Sequence, residues 1–152
     1  MYEFIDRPVS SLDRGGRFLI WTMRTWARSV SQSHCPAGAI VQAFSKWRMI
    51  AGLQPFHRAM LILNRDALQT VRFCSLGCNH ISEDEALILT LLASLRDRGA
   101  SWARDTLTLL IEEDSVGDML GALTDLSRSL AEASLLPRMP AAQPDEPRAR
   151  EG

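Results

Sequence analysis

The sequence predicts an all-α fold: a compact bundle of about five or six helices in one domain, residues 1–136, followed by a disordered tail, residues 137–152. Apolar residues recur at steps of three and four along almost the whole chain, which is the period of a helix. The chain has 152 residues, of which 46% are hydrophobic and 23% charged, so it can bury a core without disulfides. Pro and Gly stand where helices would begin and end.

The first helix is predicted to begin between Leu12 and Gly16 and to end near Ser33. Four apolar residues at offsets of four, three and four form its inner face: Leu19, Met23, Trp26 and Val30. A stripe of this kind indicates a helix packed against a core along one side.

Two further helices are predicted before the middle of the chain. Pro36 suits the first turn of a second helix, and Gly52 is a natural residue to end it. Pro55 would open a third helix, which runs to about Leu68. The segment 70–81 then breaks the pattern with β-forming residues and a glycine, so we expect an irregular loop there.

The start of the next helix carries the strongest boundary signal. Ser82 and Glu85 stand in the order of a capping box, in which each side chain bonds the other residue's backbone N–H. Gly99 is expected to end this helix, Ser101 to cap another, and a last helix to follow Gly117. The last one repeats apolar residues in alternating steps of four and three, as in a helix packed along a neighbour.

The tail and the N-terminus bear on order and location. Four of the sixteen residues from Pro137 onward are proline, and the rest are mostly small or charged, which predicts disorder. No run approaches the roughly 20 apolar residues of a membrane span, and the N-terminus does not look like a signal peptide. We therefore expect no membrane contact, a cytoplasmic location and reduced thiols.

Charge is distributed unevenly, although the net charge is −1. Residues 1–65 carry nine Lys or Arg and three Asp or Glu, whereas residues 66–152 carry eight and fifteen. The simplest interpretation is that the two halves attract each other, or attract a second copy of the chain.

A basic stripe on the first helix raises the alternative of a nucleic-acid partner. The stripe consists of Arg17, Trp21, Arg24 and Arg28, with Arg14 just before it. A helix-turn-helix would need a small and an apolar residue at set distances from its turn glycine, and the chain lacks that spacing around both Gly52 and Gly99. We therefore expect no nucleic-acid partner and no salt-sensitive binding to DNA or RNA.

The Cys and His residues are confined to positions 34–80, which is the least random feature of the sequence. Two thiols four positions apart in a loop can approach one zinc ion, and a closed site needs four ligands. The predicted ligands are Cys35, Cys74, Cys78 and His80, with His34 as an alternate to Cys35. Such a site would pin the irregular loop to the first two helices.

Other interpretations of these residues remain open. Cys35 and Cys74 can equally be small buried apolar residues, since free Cys is often buried. A redox pair of Cys74 and Cys78 lacks the usual two-residue spacing and a βαβ context. His57 is expected to be a packing or surface residue. A Cys–His catalytic pair can be drawn, but the sequence offers no complete catalytic motif.

The chain resembles a group of small helical bacterial proteins of unknown function. The resemblance rests on Cys74…Cys78-Asn-His80-Ile-Ser-Glu-Asp-Glu85 before a Leu-rich helix, on the Trp- and Arg-rich first helix and on His34-Cys35-Pro36. It extends over roughly residues 10–136. It implies a helical fold and carries no chemistry.

These features predict a non-catalytic protein that acts through protein contacts, either with a partner or as a homo-oligomer, with zinc as an optional structural metal. The alternative is a small metal- or redox-dependent sensor or enzyme centred on the Cys and His residues. Acidic residues near Ser82 are better explained by the positive end of a helix than by acid–base catalysis.

Overall fold

The computed structural model describes residues 3–5 and 7–140, and the chain forms one short 3-10 helix and five α-helices within them. Their bounds are Val9–Ser11 for the 3-10 helix, Arg14–Ser31 (α1), Pro36–Lys46 (α2), Ile50–Asp66 (α3), Glu83–Thr108 (α4) and Glu113–Glu132 (α5). The only β pairing in these residues is two isolated bridges, Pro8 with His80 and Ala67 with Ile111. The predicted all-α fold class is confirmed.

The helices pack in two groups around one hydrophobic core. Helix α5 packs against both α3 and α4. Helix α2 packs against both α1 and α3. All five helices contribute buried apolar side chains to the same cluster. Across the part of the chain that the structure describes, no helix is both long enough and apolar enough to span a membrane.

Helix α1 follows its prediction closely. Asp13 is its N-cap and accepts a hydrogen bond from the Gly16 N–H at 2.8 Å, which satisfies one of the free donors of the first turn. The predicted inner residues Leu19, Met23 and Trp26 are buried. Val30, the last of the predicted inner residues, is partly buried, so α1 packs on the core along the predicted face.

The boundary between α2 and α3 was predicted wrongly. Helix α2 ends at Lys46, and Arg48, with a φ of 60°, turns the chain. Gly52 therefore lies inside α3, where a Cβ atom would come within 3.1 Å of the Ser129 Cβ of α5. The glycine permits the close approach of these two helices. Pro55 also lies inside α3 and not at its start, so its missing N–H removes one hydrogen bond of the helix, the one to the Ala51 carbonyl.

Helix α4 confirms the strongest boundary signal. The Ser82 hydroxyl accepts from the Glu85 N–H at 3.2 Å, and the Glu85 carboxylate accepts from the Ser82 N–H at 2.9 Å, so the capping box is formed. Gly99 has a φ of 85° and a non-helical backbone, so α4 consists of two helical stretches that meet in a kink at this residue, where the sequence predicted a helix end. Glycine tolerates this left-handed conformation, so the bend is fixed where the sequence indicated it.

The chain after α5 turns back onto the start of α1. Leu135 and Pro137 are buried, Met139 packs partly against the core, and the Arg138 N–H donates to Asp13 Oδ2 at 3.0 Å. Ordered contacts thus continue a few residues beyond Leu136. The remainder of the predicted tail, residues 141–152, lies outside the described residues.

Candidate functional site

The segment that carries most of the candidate ligands, residues 70–81, joins α3 to α4 and is irregular, as predicted. It brings Cys74 and Cys78 close enough together that Cys78 affects the pKa of the Cys74 thiol. The Cys78 Sγ atom also lies 3.6 Å from the carbonyl oxygen of His80. The imidazole of His80 is exposed, so this residue joins the cluster through its backbone.

The remaining candidate ligands do not complete a site. Cys35 is the exposed N-cap residue of α2, and the exposed His34 beside it is held by a backbone bond to the Ser29 carbonyl at 2.8 Å. Within residues 3–5 and 7–140, no three His, Cys, Asp or Glu side chains are placed to hold one metal ion. A closed zinc site needs four ligands, and the side chains as arranged do not fit one.

His57 has a structural partner. The Trp26 indole N–H donates to His57 Nδ1 at 2.9 Å, and the two rings lie 5.9 Å apart. This nitrogen must be unprotonated to accept the bond, so the imidazole links α3 to α1 as an acceptor.

The group that organises the segment is Arg24, which is buried with its side chain 2% exposed. Its Nε and Nη2 atoms bind Glu85 Oε2 and Oε1 at 2.8 and 3.0 Å. Its Nη1 atom donates to the Cys78 carbonyl at 2.6 Å, and Nη2 also donates to the His80 carbonyl at 2.8 Å. The planar guanidinium thus grips a carboxylate and two loop carbonyls at once, which an ammonium could not do with the same geometry.

Glu85 is the counter-ion of Arg24, and its side chain is fully buried. Besides Arg24 it accepts the Cys74 N–H at 3.1 Å and the Ser82 N–H at 2.9 Å. One carboxylate therefore closes the capping box of α4, holds the start of the cysteine loop and neutralises Arg24. A buried pair satisfied this completely fixes local geometry, and removing one partner leaves an uncompensated charge.

The Cys74 thiol is poorly suited to chemistry that needs a thiolate. Burial raises the pKa of the Cys74 thiol, and the Glu85 carboxylate and the neighbouring Cys78 raise it further, against a smaller opposing effect of Arg24. The thiolate is the form that attacks substrates and binds metals. At neutral pH the Cys74 thiol is therefore protonated. Cys74 is only partly buried and Cys35 is exposed, so neither is the buried apolar residue of the alternative interpretation.

The protonation of Glu85 should be visible in the pH dependence of stability. Burial alone would raise the pKa of this carboxyl, but the bonds from Arg24, Ser82 and Cys74 lower it below its ordinary value of 4.5. The ionised carboxylate then contributes fully to the free energy of unfolding above about pH 4.5, and this contribution is lost as the pH falls through the lowered pKa. In urea unfolding, the free energy of unfolding of the wild type should fall more steeply with decreasing pH than that of Glu85→Gln. Equal slopes would contradict this, and Glu83→Gln in the same turn should retain the wild-type slope.

The sequence did not reveal the Arg24–Glu85 pair. The helical period placed Arg24 on an exposed stripe with Arg17 and Arg28, and the capping box gave Glu85 only a local role. One signal was present, since Arg24 follows the apolar Ile20 by four residues and so borders the buried face of α1.

A groove lies beside this pair, and we call it the α1–α3 groove. It has a volume of about 920 Å³ between the C-terminal halves of α1 and α3 and the segment 67–76. Trp26, Met60 and Leu63 lie at its base, and Leu68 and Leu76 line it with exposed side chains. Its charged lining residues are Arg24, already neutralised by Glu85, and Arg28; no Asp or Glu lines it.

No family model, curated protein or solved structure matches this chain. The resemblance to small helical bacterial proteins of unknown function therefore stays a prediction, and function must be argued from the geometry above.

Proposed function

We propose that this chain is a non-catalytic protein that acts by holding an acidic, partly apolar segment of another protein in the α1–α3 groove. The observation that supports this is the combination of an apolar base, exposed leucines at Leu68 and Leu76 and a charged lining that is only cationic. Proteins usually bind their ligands at concave apolar surfaces that carry a few polar groups.

The chemistry of the groove indicates the kind of segment that fits. Apolar side chains of a partner would cover Leu68 and Leu76, which are 51% and 37% exposed, and would extend the contact onto the base of the groove. An acidic residue of the partner would face Arg28, which forms no ion pair within the described residues. Complementary charge of this kind favours specificity and rapid association.

The Arg24–Glu85 pair contributes to binding by fixing a wall of the groove. Cys74 lines the groove and is tied to Glu85 through its backbone N–H, and the Cys78 and His80 carbonyls are tied to Arg24. The segment 70–81 lacks regular structure and would otherwise have to be ordered by the partner. A preformed wall lowers that entropic cost of association.

Selection of short random peptides on the immobilised protein tests this proposal. We expect the selected peptides to combine apolar and acidic residues, and to bind the Leu68→Glu and Arg28→Glu variants roughly tenfold or more weakly than the wild type in fluorescence anisotropy. The matched controls are Ile50→Glu and Arg104→Glu, which change exposed residues outside the groove. Peptides that bind all four variants equally well would reject the groove as the site.

A further inference from the structure

A second concavity lies on the opposite part of α1, between that helix and α2, and we call it the α1–α2 cleft. Helix α1 contributes Arg14, Arg17, Phe18 and Trp21, α2 contributes Ala43 and Lys46, and Trp47 is the residue that caps the C-terminus of α2. Its volume is about 330 Å³, which is at the small end of ligand sites. None of these residues lines the α1–α3 groove, so the cleft is a separate feature.

Two exposed tryptophans define the character of this cleft. Trp21 and Trp47 are 44% and 37% exposed. Neither indole N–H has a hydrogen-bond partner within residues 3–5 and 7–140, whereas that of Trp26 does. The guanidinium carbon of Arg14 lies 4.9 Å from the centroid of the Trp47 ring. Aromatic faces and a stacked guanidinium are surfaces on which another planar group can stack.

The charge around the cleft is of one sign. The chain contains no Asp or Glu from residue 14 to residue 65, and in the described structure Arg14, Arg17 and Lys46 have no carboxylate within 4.0 Å. The neighbouring carboxylate, Asp13, uses one oxygen for the Gly16 N–H and the other for the Arg138 N–H. The cations of the cleft are thus free to bind an external anion.

We propose that the α1–α2 cleft binds single-stranded nucleic acid, with a base stacked on Trp21 or Trp47 and its phosphates held by Arg14, Arg17 and Lys46. Basic grooves with exposed aromatic side chains bind unpaired strands in this way without reading sequence. The absence of a helix-turn-helix, which argued against a nucleic-acid partner, concerns duplex DNA. A single strand needs no helix in a groove, since its bases are already free to stack.

The residues that form this nucleic-acid site differ from those of the basic stripe predicted from the sequence. Arg24, a member of the predicted basic stripe, is buried against Glu85 and cannot contact a strand. Lys46 and Trp47 at the C-terminal end of α2, which the stripe did not include, complete the site instead.

The test is binding of a fluorescently labelled strand of roughly 12 nucleotides, of deoxythymidine or of uridine, measured by anisotropy with the full chain. We expect binding at about 50 mM salt that weakens with added salt, at a log–log slope of about −0.7 for each phosphate held. Trp21→Ala and Trp47→Ala should each reduce affinity roughly 5- to 100-fold, and Trp→Phe at either position should restore most of it. Arg98→Glu and Arg104→Glu, two exposed cations of α4, should leave binding unchanged.

Several outcomes would overturn the proposal. The first is that neither the wild type nor the variants bind either strand at low salt, although their circular dichroism shows a native helical fold. A second is a loss confined to Arg17→Glu and Lys46→Glu while both Trp→Ala variants bind normally, which would indicate unspecific attraction. Equal affinity for a poly-glutamate peptide, or for free AMP, would assign the cleft to an acidic protein segment or to a mononucleotide instead.

Discussion

Replacing Glu85 by Ala is expected to lower the free energy of unfolding by about 3–5 kcal/mol, the usual cost of removing one partner of a buried ion pair. The loss leaves the Arg24 guanidinium buried without a counter-charge and frees the Ser82 and Cys74 N–H groups that the carboxylate accepts. In thermal unfolding the midpoint should fall by roughly 10 °C or more.

Variants at and around the pair separate its effect from that of the capping box. Arg24→Lys keeps the charge but loses the planar contacts with Glu85 and the Cys78 carbonyl, so it should be destabilised substantially as well. The matched control is Glu83→Ala, an exposed acid in the same helical turn, which should cost only about 0.3–1 kcal/mol through the helix dipole. A Glu85→Ala variant no less stable than this control would show that the pair contributes little.

Replacing Gly15 by Ala is the second large expected effect. A Cβ atom at this position would lie 1.7 Å from the backbone carbonyl oxygen of Leu135, so the segment after α5 must move away from α1. We expect a loss of about 3 kcal/mol, since a backbone clash cannot be relieved by rotating a side chain. Hydrogen exchange should show faster opening at Leu135 and Arg138 than in the wild type.

The control for this variant is Gly121→Ala in α5. A Cβ atom there meets nothing within 4 Å, and alanine has the better helix propensity, so stability should rise by up to about 1 kcal/mol. If Gly15→Ala behaves like Gly121→Ala, the contact between α1 and the segment after α5 is not a determinant of stability.

The sequence predicted the fold class because helix formation is largely a local matter. The apolar period of α1 and the capping box of α4 depend on residues within one or two turns of each other, and both are confirmed. The error at Gly52 has a tertiary cause, since the glycine serves the approach of α3 to α5 rather than a helix end. A single sequence does not show which helix will lie opposite a given glycine.

The candidate site was less predictable because its central contacts join residues that are far apart in the sequence. Cys74 and Cys78 lie together, as their spacing suggested, but Arg24 and Glu85 are 61 residues apart, and no local pattern pairs them. Each also had a sufficient local explanation, Arg24 as part of a solvated stripe and Glu85 as a capping residue. Long-range partners of this kind become visible only when the helices are assembled.

Asp13 joins the start of α1 to the segment that follows α5. Its carboxylate caps α1 through Gly16 and holds the backbone of Arg138, which is 125 residues away in sequence. A contact with so large a loop to close is expected to form late in folding.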